Sequence, residues 1–295
     1  MKMILTADLH IREDVPQCRM DDYLNKQWQK LEVLRDSELA ILAAGDIFHH
    51  WKPSPWLLSM TNLYLPMHRL YAVAGQHDLP QHNDQLFERC GLRTLNGMGA
   101  MILDCEGHEL GELVTVYGCG WGQTPKSILK SKGRKVLVWH NMTWTHKIPF
   151  PGCKEASADK LLKKYPEYDL ILTGDNHIPF TVEREGRLLV NPGSMMRMTG
   201  GQSDHHPRYY VWDTKDNTAT ARYWDIKKDD VTREHIDVAG EREQRTSDFV
   251  ARLKHDMEVG FSYRHNMKLF LKKNPVRDEV KRLVWKSMEV DNDVA

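Results

Sequence analysis

The sequence predicts an α/β protein, on three observations. In Glu38 to Pro55, ELAILAAGDIFHHWKPSP, a short apolar run (Leu39, Ile41 to Ala44) lacks helical spacing and stops at Gly45-Asp46, as a buried strand does at its carboxyl end. A similar run, Met3 to Ala7, precedes it, and between them Tyr23, Leu24, Trp28, Leu31 and Leu34 recur at helical spacing over Asp22 to Arg35, giving a strand–helix–strand unit. Further runs of this kind follow, each ending in carboxylate, imidazole or amide side chains. Ligands bind at the carboxyl ends of strands in open α/β sheets, so these ends are the candidate site.

Taken in order, the first strand ends in Asp8-Leu9-His10, whose alternate side chains share one face. After Asp46, Pro53-Ser54-Pro55 opens a helix over about Trp56 to Arg69, with Pro66 near its end. Leu70 to Ala74 is the third strand, ending in Gly75-Gln76-His77-Asp78. A looser stretch then predicts a helix at Asp84 to Cys90 and strands at Ala100 to Asp104 and Leu113 to Gly118, crossing between the halves of a sandwich. Lys135 to Trp139 precedes His140-Asn141. A helix over about Ala156 to Tyr165 leads to a strand at Tyr168 to Thr173, which ends in Gly174-Asp175-Asn176-His177. Arg187 to Val190 runs into Asn191-Pro192-Gly193-Ser194, and a hairpin of Arg208 to Asp213 and Thr220 to Ile226 closes the unit. The run Ser203-Asp204-His205-His206 reads as a loop. Trp51, Trp56, Trp121, Trp139 and Trp144 read as core positions before base-stacking ones.

From Glu241 the chain turns charged and helix-forming, which predicts a catalytic domain over 1–240 and a helical segment over 241–295. Phe249, Leu253 and Met257, then Val276, Val280, Leu283, Val284 and Trp285, mark two amphipathic helices, and basic residues gather between Arg264 and Lys286. Lys plus Arg and Asp plus Glu number 41 each, so contact with nucleic acid has to come from a local patch. Five scattered cysteines without CxxC spacing predict reduced thiols and a cytoplasmic protein, with neither a disulfide framework nor a thiolate metal site. The start, MKMILTADLH, breaks at Asp8 before a signal-peptide core forms, and no run of about 18 apolar residues predicts a membrane span.

Six strand ends bearing nitrogen and oxygen donors at a common edge of a sheet exceed what one ion needs, which predicts two divalent metals of the Mn²⁺, Mg²⁺, Zn²⁺ or Fe²⁺ type and attack on a phosphate ester. The ordered motifs Asp8-Leu9-His10, Gly45-Asp46-Ile47-Phe48-His49, Gly75-Gln76-His77-Asp78, His140, Gly174-Asp175-Asn176-His177 and Asn191-Pro192-Gly193-Ser194 resemble those of the calcineurin-like metallophosphoesterases, over roughly residues 1 to 200. Within that family GDIFHHWKPS is similar to the matching segment of the Mre11/SbcD nucleases. The resemblance implies a four-layer fold, two central mixed sheets flanked by helices. It implies a DNA phosphodiesterase, exonuclease or endonuclease, of repair, recombination or replication, acting with two-metal-activated hydroxide. It further implies a Rad50/SbcC-like ATPase partner, with a homodimer also open; Mn²⁺ is expected ahead of Mg²⁺, Zn²⁺ or Fe²⁺ because Asp175 and Gln76 make the second site rich in oxygen. By the same resemblance Asp8, His10, Asp46 and His177 hold the first metal, Asp46 bridges, and Gln76, His140 and Asp175 complete the second. His77 serves the leaving oxygen, oriented by Asp78, and His49 lies near the substrate phosphate. A small-molecule phosphodiesterase or phosphatase on the same fold is the alternative, and Gln76 and Asp175, which depart from the family's usual Asn and His, keep open a catalytically weakened binding subunit.

Overall fold

The computed structural model describes residues 1–126, 133–234, 238, 244–248 and 263–290. The chain divides into two compact units, Met1–His235 and Ile236–Ala295. The first holds two six-stranded mixed sheets. One has the order β12-β11-β1-β2-β3-β4, from β1 (Lys2–Thr6), β2 (Ala40–Ala43), β3 (Leu70–Ala72), β4 (Met101–Ile102), β11 (Arg208–Asp213) and β12 (Thr218–Tyr223). The other runs β5-β6-β7-β8-β10-β9, from β5 (His108–Leu110), β6 (Val114–Cys119), β7 (Arg134–His140), β8 (Leu170–Gly174), β9 (Phe180–Arg184) and β10 (Arg187–Asn191). In each sheet four neighbouring strands are parallel, β1 to β4 in the first and β6, β7, β8 and β10 in the second, with antiparallel strands at the margins.

Strand periodicity explains the layering. Along β1, Met3 and Leu5 point into one apolar layer and Ile4 into another. The layer holding Met3 and Leu5 also holds Leu42, Val116, Val138, Leu172, Val190 and Trp212, so it lies between the two sheets. Ile4 packs instead with Leu31 and Leu34 of α1 (Tyr23–Asp36), Leu57 of α2 (Pro55–Tyr64) and Leu92 and Leu95 of α3 (Gly91–Gly97). On the far side Leu137, Ile171 and Leu189 pack with Leu161 and Leu162 of α4 (Ala158–Lys164). The result is the four-layer sandwich with two central mixed sheets expected from the sequence. Burial of both faces is why the parallel strands read as unbroken apolar runs.

Local signals set most boundaries. The Asp22 carboxylate accepts Asn25 N–H at 3.2 Å to cap α1, and Ser54 Oγ accepts Leu57 N–H at 3.1 Å to cap α2 behind Pro55. The second helix ends at Tyr64 and not at Arg69. Leu65 before Pro66 is extended (φ −112°, ψ 136°), since the proline ring disfavours helical backbone in the residue preceding it, and only a 3₁₀ turn, Met67–Arg69, follows. Asp84–Arg89 is likewise 3₁₀. In the second unit, α5 (Tyr263–Lys273) and α6 (Asp278–Val290) are described, whereas Phe249, Leu253 and Met257 lie outside the described residues. No helix among the described residues is long and apolar enough to cross a membrane.

One charged side chain enters the helix-facing core. Lys30 of α1 is buried, donates to Met195 O at 2.8 Å and lies 5.3 Å from the Trp224 ring. Burial, then the nearby Arg19, Arg197 and Lys26, pull its pKa down to about 7, against a weaker upward pull from Asp21. Between about pH 7 and the ordinary lysine value of about 10.4 the unfolded chain therefore holds a proton that the folded chain lacks, so stability rises with pH in that window. Relative to a Lys30→Met variant, the wild-type unfolding free energy from urea titrations should climb from pH 7 to pH 9.5, by up to about 1.4 kcal/mol per pH unit. Parallel curves for the two proteins would contradict this.

Candidate metal centre

The expected strand ends meet at one place, but they come from two sheets and do not share one edge. β1, β2 and β3 deliver Asp8, His10, Asp46 and Gln76-His77-Asp78, while β7, β8 and β10 deliver His140, Asp175, His177 and Asn191. Beyond β1 and β2 the two loops stay in register, with His10 N–H on Asp46 O at 2.9 Å and Ile11 N–H on Ile47 O at 2.8 Å. The sheets are tied across by Asp175 N–H to Asp8 Oδ1 at 3.0 Å and by His140 Nδ1, 2.6 Å from Ala44 O. Asp8, His10, Asp46 and Asp175 all take left-handed backbone, with φ of 49°, 45°, 51° and 77°. Residues of this kind cost of order 1–3 kcal/mol each there and gather at functional sites.

Both central carboxylates are half satisfied. Asp8 Oδ1 accepts from Asp175 and Asp46 Oδ1 accepts His77 N–H at 2.9 Å, whereas Asp8 Oδ2 and Asp46 Oδ2 are buried without a hydrogen-bond partner. Asp46 Oδ2 stands 3.6 Å from His10 Nε2 and 3.6 Å from His140 Nε2. His10 Nε2 and His177 Nε2 face each other at 3.2 Å. His140 Nδ1 is held on Ala44 O, the arrangement that orients an imidazole ligand, and its Nε2 faces Gln76 Oε1. Burial, helped by the Asp46 and Asp175 charges and opposed by His140, raises Asp8 to about 8. Burial with Asp78 and Asp175 raises Asp46 well above the carboxylate range. Burial and the other imidazoles hold His10 well below the usual value, and burial lowers His177. Neutral imidazoles and orphaned carboxylate oxygens buried together are the donor set that a divalent cation satisfies.

Among the described residues three groups of donors lie close enough to share an ion: Asp8, His10 and His177; Asp8, Asp46 and His140; and His10, His49 and His77. The first joins three residues expected at the first metal, and the second joins Asp8 and Asp46 to His140, expected at the second, with Asp46 between the imidazoles. Asp175 joins neither group. Instead Gln76 links the departures from the family pattern, its Oε1 2.6 Å from His140 Nε2 and its Nε2 donating to Asp175 Oδ1 at 2.7 Å. The third group was not anticipated. His49 Nδ1 is 3.4 Å from His10 Nδ1, and burial first, then Arg12, brings the His49 pKa down to about 4.

Asp78 is where the structure differs most from expectation. It does not orient His77, which instead sets its Nδ1 2.9 Å from His49 O. Asp78 is fully buried and accepts three backbone amides, Ile47 N at 3.2 Å, Phe48 N at 2.9 Å and Gly75 N at 3.0 Å. It therefore clamps the loop carrying Asp46 to the loop carrying His77. The reason lies in position, since a carboxylate at the start of the turn after β3 meets the amides of the adjacent β2 loop. Asn191 is a brace too, its Nδ2 donating to Asn176 O at 2.6 Å and Ile178 O at 2.8 Å beneath His177. His205, in the loop expected from the sequence, has Nε2 2.9 Å from Ser194 O. Of the tryptophans, Trp139 is core, Trp56 is exposed, and Trp51, Trp121 and Trp144 are half-buried.

Asp78→Ala strands three buried amides, each worth about 1–3 kcal/mol when unsatisfied. It should lower stability by more than about 3 kcal/mol by chemical denaturation, a loss that a residue serving only His77 would not show.

Comparison with known proteins places this geometry. A model of the calcineurin-like phosphoesterase superfamily domain matches residues 1–217. Over 231 residues the chain is 26% identical to the DNA double-strand break repair protein Mre11 of Haloferax volcanii, covering 71% of this chain and 48% of that protein. It thus spans about half the length of that relative. Among solved structures it is similar to an archaeal phosphodiesterase (16% identity, TM-score 0.43, 76% of this chain and 100% of that one). It is also similar to a putative 5'-nucleotidase from Staphylococcus aureus (13% identity, TM-score 0.46, 78% of this chain and 56% of that one). Matched from its first residue through β11, and with candidate donors for divalent ions at the ends of its parallel strands, the chain belongs to the calcineurin-like phosphoesterase superfamily, whose members are metal-dependent hydrolases of phosphoesters.

Proposed function

We propose that this protein is a divalent-metal-dependent DNA phosphodiesterase of the Mre11/SbcD type, using Mn²⁺ and working with a Rad50/SbcC-like ATPase. The observation that carries the metal-dependent chemistry is the pair of orphaned oxygens, Asp8 Oδ2 and Asp46 Oδ2, buried among His10, His140 and His177. The choice of DNA is supported by the similarity to the Haloferax volcanii repair protein and by the segment Gly45 to Ser54. Asp8, His10, Asp46 and His177 would hold one ion, and Asp46 and His140, with Gln76 and Asp175 beside them, the other. When bound, such a pair supplies Lewis acidity toward a phosphoryl oxygen and lowers the pKa of water.

The chain's own groups do the rest. Asp46, fixed by His77 N–H through Oδ1, presents Oδ2 between two imidazoles and would be the carboxylate shared by the two ions. His77, with its Nδ1 proton on His49 O, keeps Nε2 for the leaving oxygen, so the peptide of His49 takes the orienting part expected of Asp78. The His49 ring, stacked 5.3 Å from His77, stays neutral through burial and offers a polar contact for the phosphate. Exposed Tyr263, Phe270 and Leu283 give the C-terminal helices apolar contacts for an ATPase partner.

A second reading, a weakened binding subunit, is favoured by one contact: Gln76 occupies the site-facing atoms of both His140 and Asp175. Two measurements separate these readings. With Mn²⁺ the purified protein should degrade linear or single-stranded DNA. Asp46→Ala should cost well beyond the roughly 10–100-fold typical of losing a residue outside the ligand set. Intact DNA alongside hydrolysis of a small chromogenic diester would instead mark a small-molecule phosphodiesterase. Asp175→His alone should weaken activity and shift metal preference, while adding Gln76→Asn should recover part of the loss, because the Gln76 bridge couples the two positions. Strictly additive losses with unchanged metal preference would show that they are not a pair.

A further inference from the structure

A second pocket lies at the rim that carries the metal centre. This cleft of about 210 Å³ is lined by Ala74 in the turn after β3 and by Gly120 and Trp121 after β6, and Trp121 N–H ties the two turns by donating to Ala74 O at 2.9 Å. Both turns lead to the centre. Ala74 stands two residues before Gln76, which contacts His140 and Asp175. Cys119 pairs with Trp139, the residue before His140, and Trp121 follows two residues on.

The lining is graded from apolar to polar. Leu79 and Leu103 are buried, Phe87 and Trp121 are half-buried, and Asp84 and Gln123 are exposed. An aromatic interior with polar groups at its mouth admits a flat ring that keeps hydrogen bonds along one edge. The volume falls below the roughly 300–1,000 Å³ of pockets for drug-sized ligands, so one ring system fits and an attached sugar and phosphate stay outside. At the mouth, the Asp84 carboxylate repels phosphate and accepts N–H groups. Gln123 Oε1 already accepts Gly120 N–H at 3.0 Å, which leaves its amide N–H₂ to donate. The adjoining turn is strained: Gln81 and His82 of Pro80–His82 take left-handed backbone, with φ of 53° and 55°. His82 packs edge-on against Trp121, ring centroids 5.8 Å apart. Non-glycine residues held in such backbone cluster at ligand clamps, and this pair sets the ring that braces Trp121.

We propose that this pocket receives a nucleobase of the substrate strand, from a nucleotide next to the cleaved phosphate, and that it selects guanine. Guanine alone among the four bases of DNA sets two N–H donors and a carbonyl in a row on one edge. The two Asp84 oxygens accept from N1 and N2, the Gln123 amide donates to O6, and the ring lies against Trp121 and Phe87. The choice of a nucleobase rests on the DNA reading of the metal centre; the graded lining and the strained turn stand without it. Base contacts specify where phosphate contacts only position, so the pocket would decide where along a strand the centre cuts.

The test uses the full-length protein in EDTA, which silences hydrolysis, with the four deoxynucleoside monophosphates as probes and saturation-transfer NMR to read affinity. dGMP should bind about tenfold more tightly than dTMP, the effect of hydrogen bonds to a charged group. dIMP, which lacks only the 2-amino group of dGMP, should fall between them. Asp84→Asn should remove most of the dGMP preference with an unchanged melting temperature, since Asp84 is exposed. Trp121→Leu should weaken all four nucleotides by about tenfold, as loss of a stacking partner does. The proposal is overturned if wild type binds none of the four or all equally, if dIMP matches dGMP, or if either variant binds as wild type does. It is also overturned if phenyl phosphate, a ring without a donor edge, binds as tightly as dGMP, which would mark a pocket for any aromatic group, a protein side chain included. Cleavage of a single-stranded oligonucleotide with Mn²⁺ is measured on the same preparation. Selective dGMP binding without that cleavage would refute the nuclease reading and leave the guanine pocket standing, whereas cleavage without selective binding would do the reverse.

Discussion

The centre depends on one buried carboxylate that is not itself among the grouped metal donors. Asp78 gathers the amides of Ile47, Phe48 and Gly75, and so fixes the turn after β2 against the turn after β3. Burial raises the cost of its charge, and the three N–H dipoles work against that cost. The clamp is tight enough to exclude side chains, since a Cβ built on Gly75 would collide with Asp46 Oδ1 and one on Gly45, at φ +86°, with His140 Nδ1. Loop and ligand are thus positioned by the same contacts.

That arrangement costs stability locally. Four candidate donors sit in left-handed backbone, and the carboxylates and imidazoles around them are desolvated together. The sandwich offsets this with an apolar layer between the sheets and one on each outer face, all made by alternation along the same strands. Strain is concentrated where the strands end, and burial where they run.

Most of this was legible in the sequence because buried parallel strands leave an unmistakable mark, an apolar run cut off by a polar pair, and their order along the chain is the order of the donors. Other features left no such mark. Phe180–Arg184 is a marginal strand with alternating exposure, and Gly91–Gly97 begins and ends on glycine, so both looked like loop. The partition of the strands between two sheets is a property of pairing and leaves the local pattern unchanged. The part played by Asp78 was hidden for a similar reason: its partners are main-chain amides about 30 residues earlier, and an amide looks the same in every residue. His49 was singled out, but the value of its carbonyl to His77 was not, again because the acting atom is backbone.

Three strand ends on each side of a sandwich make the centre a joint between two bodies. Each sheet is internally stiff, bonded strand to strand, whereas the sheets meet through side chains such as Met3, Leu5, Leu172 and Trp212. The thickness and lateral offset of that filling set how far Asp8 and Asp46 stand from His140 and His177, much as a shim sets the gap between two jaws. A methylene gained or lost deep in the sandwich therefore changes donor spacing at its rim without touching a donor. Residues whose chemistry is wholly inert become part of how the centre is calibrated.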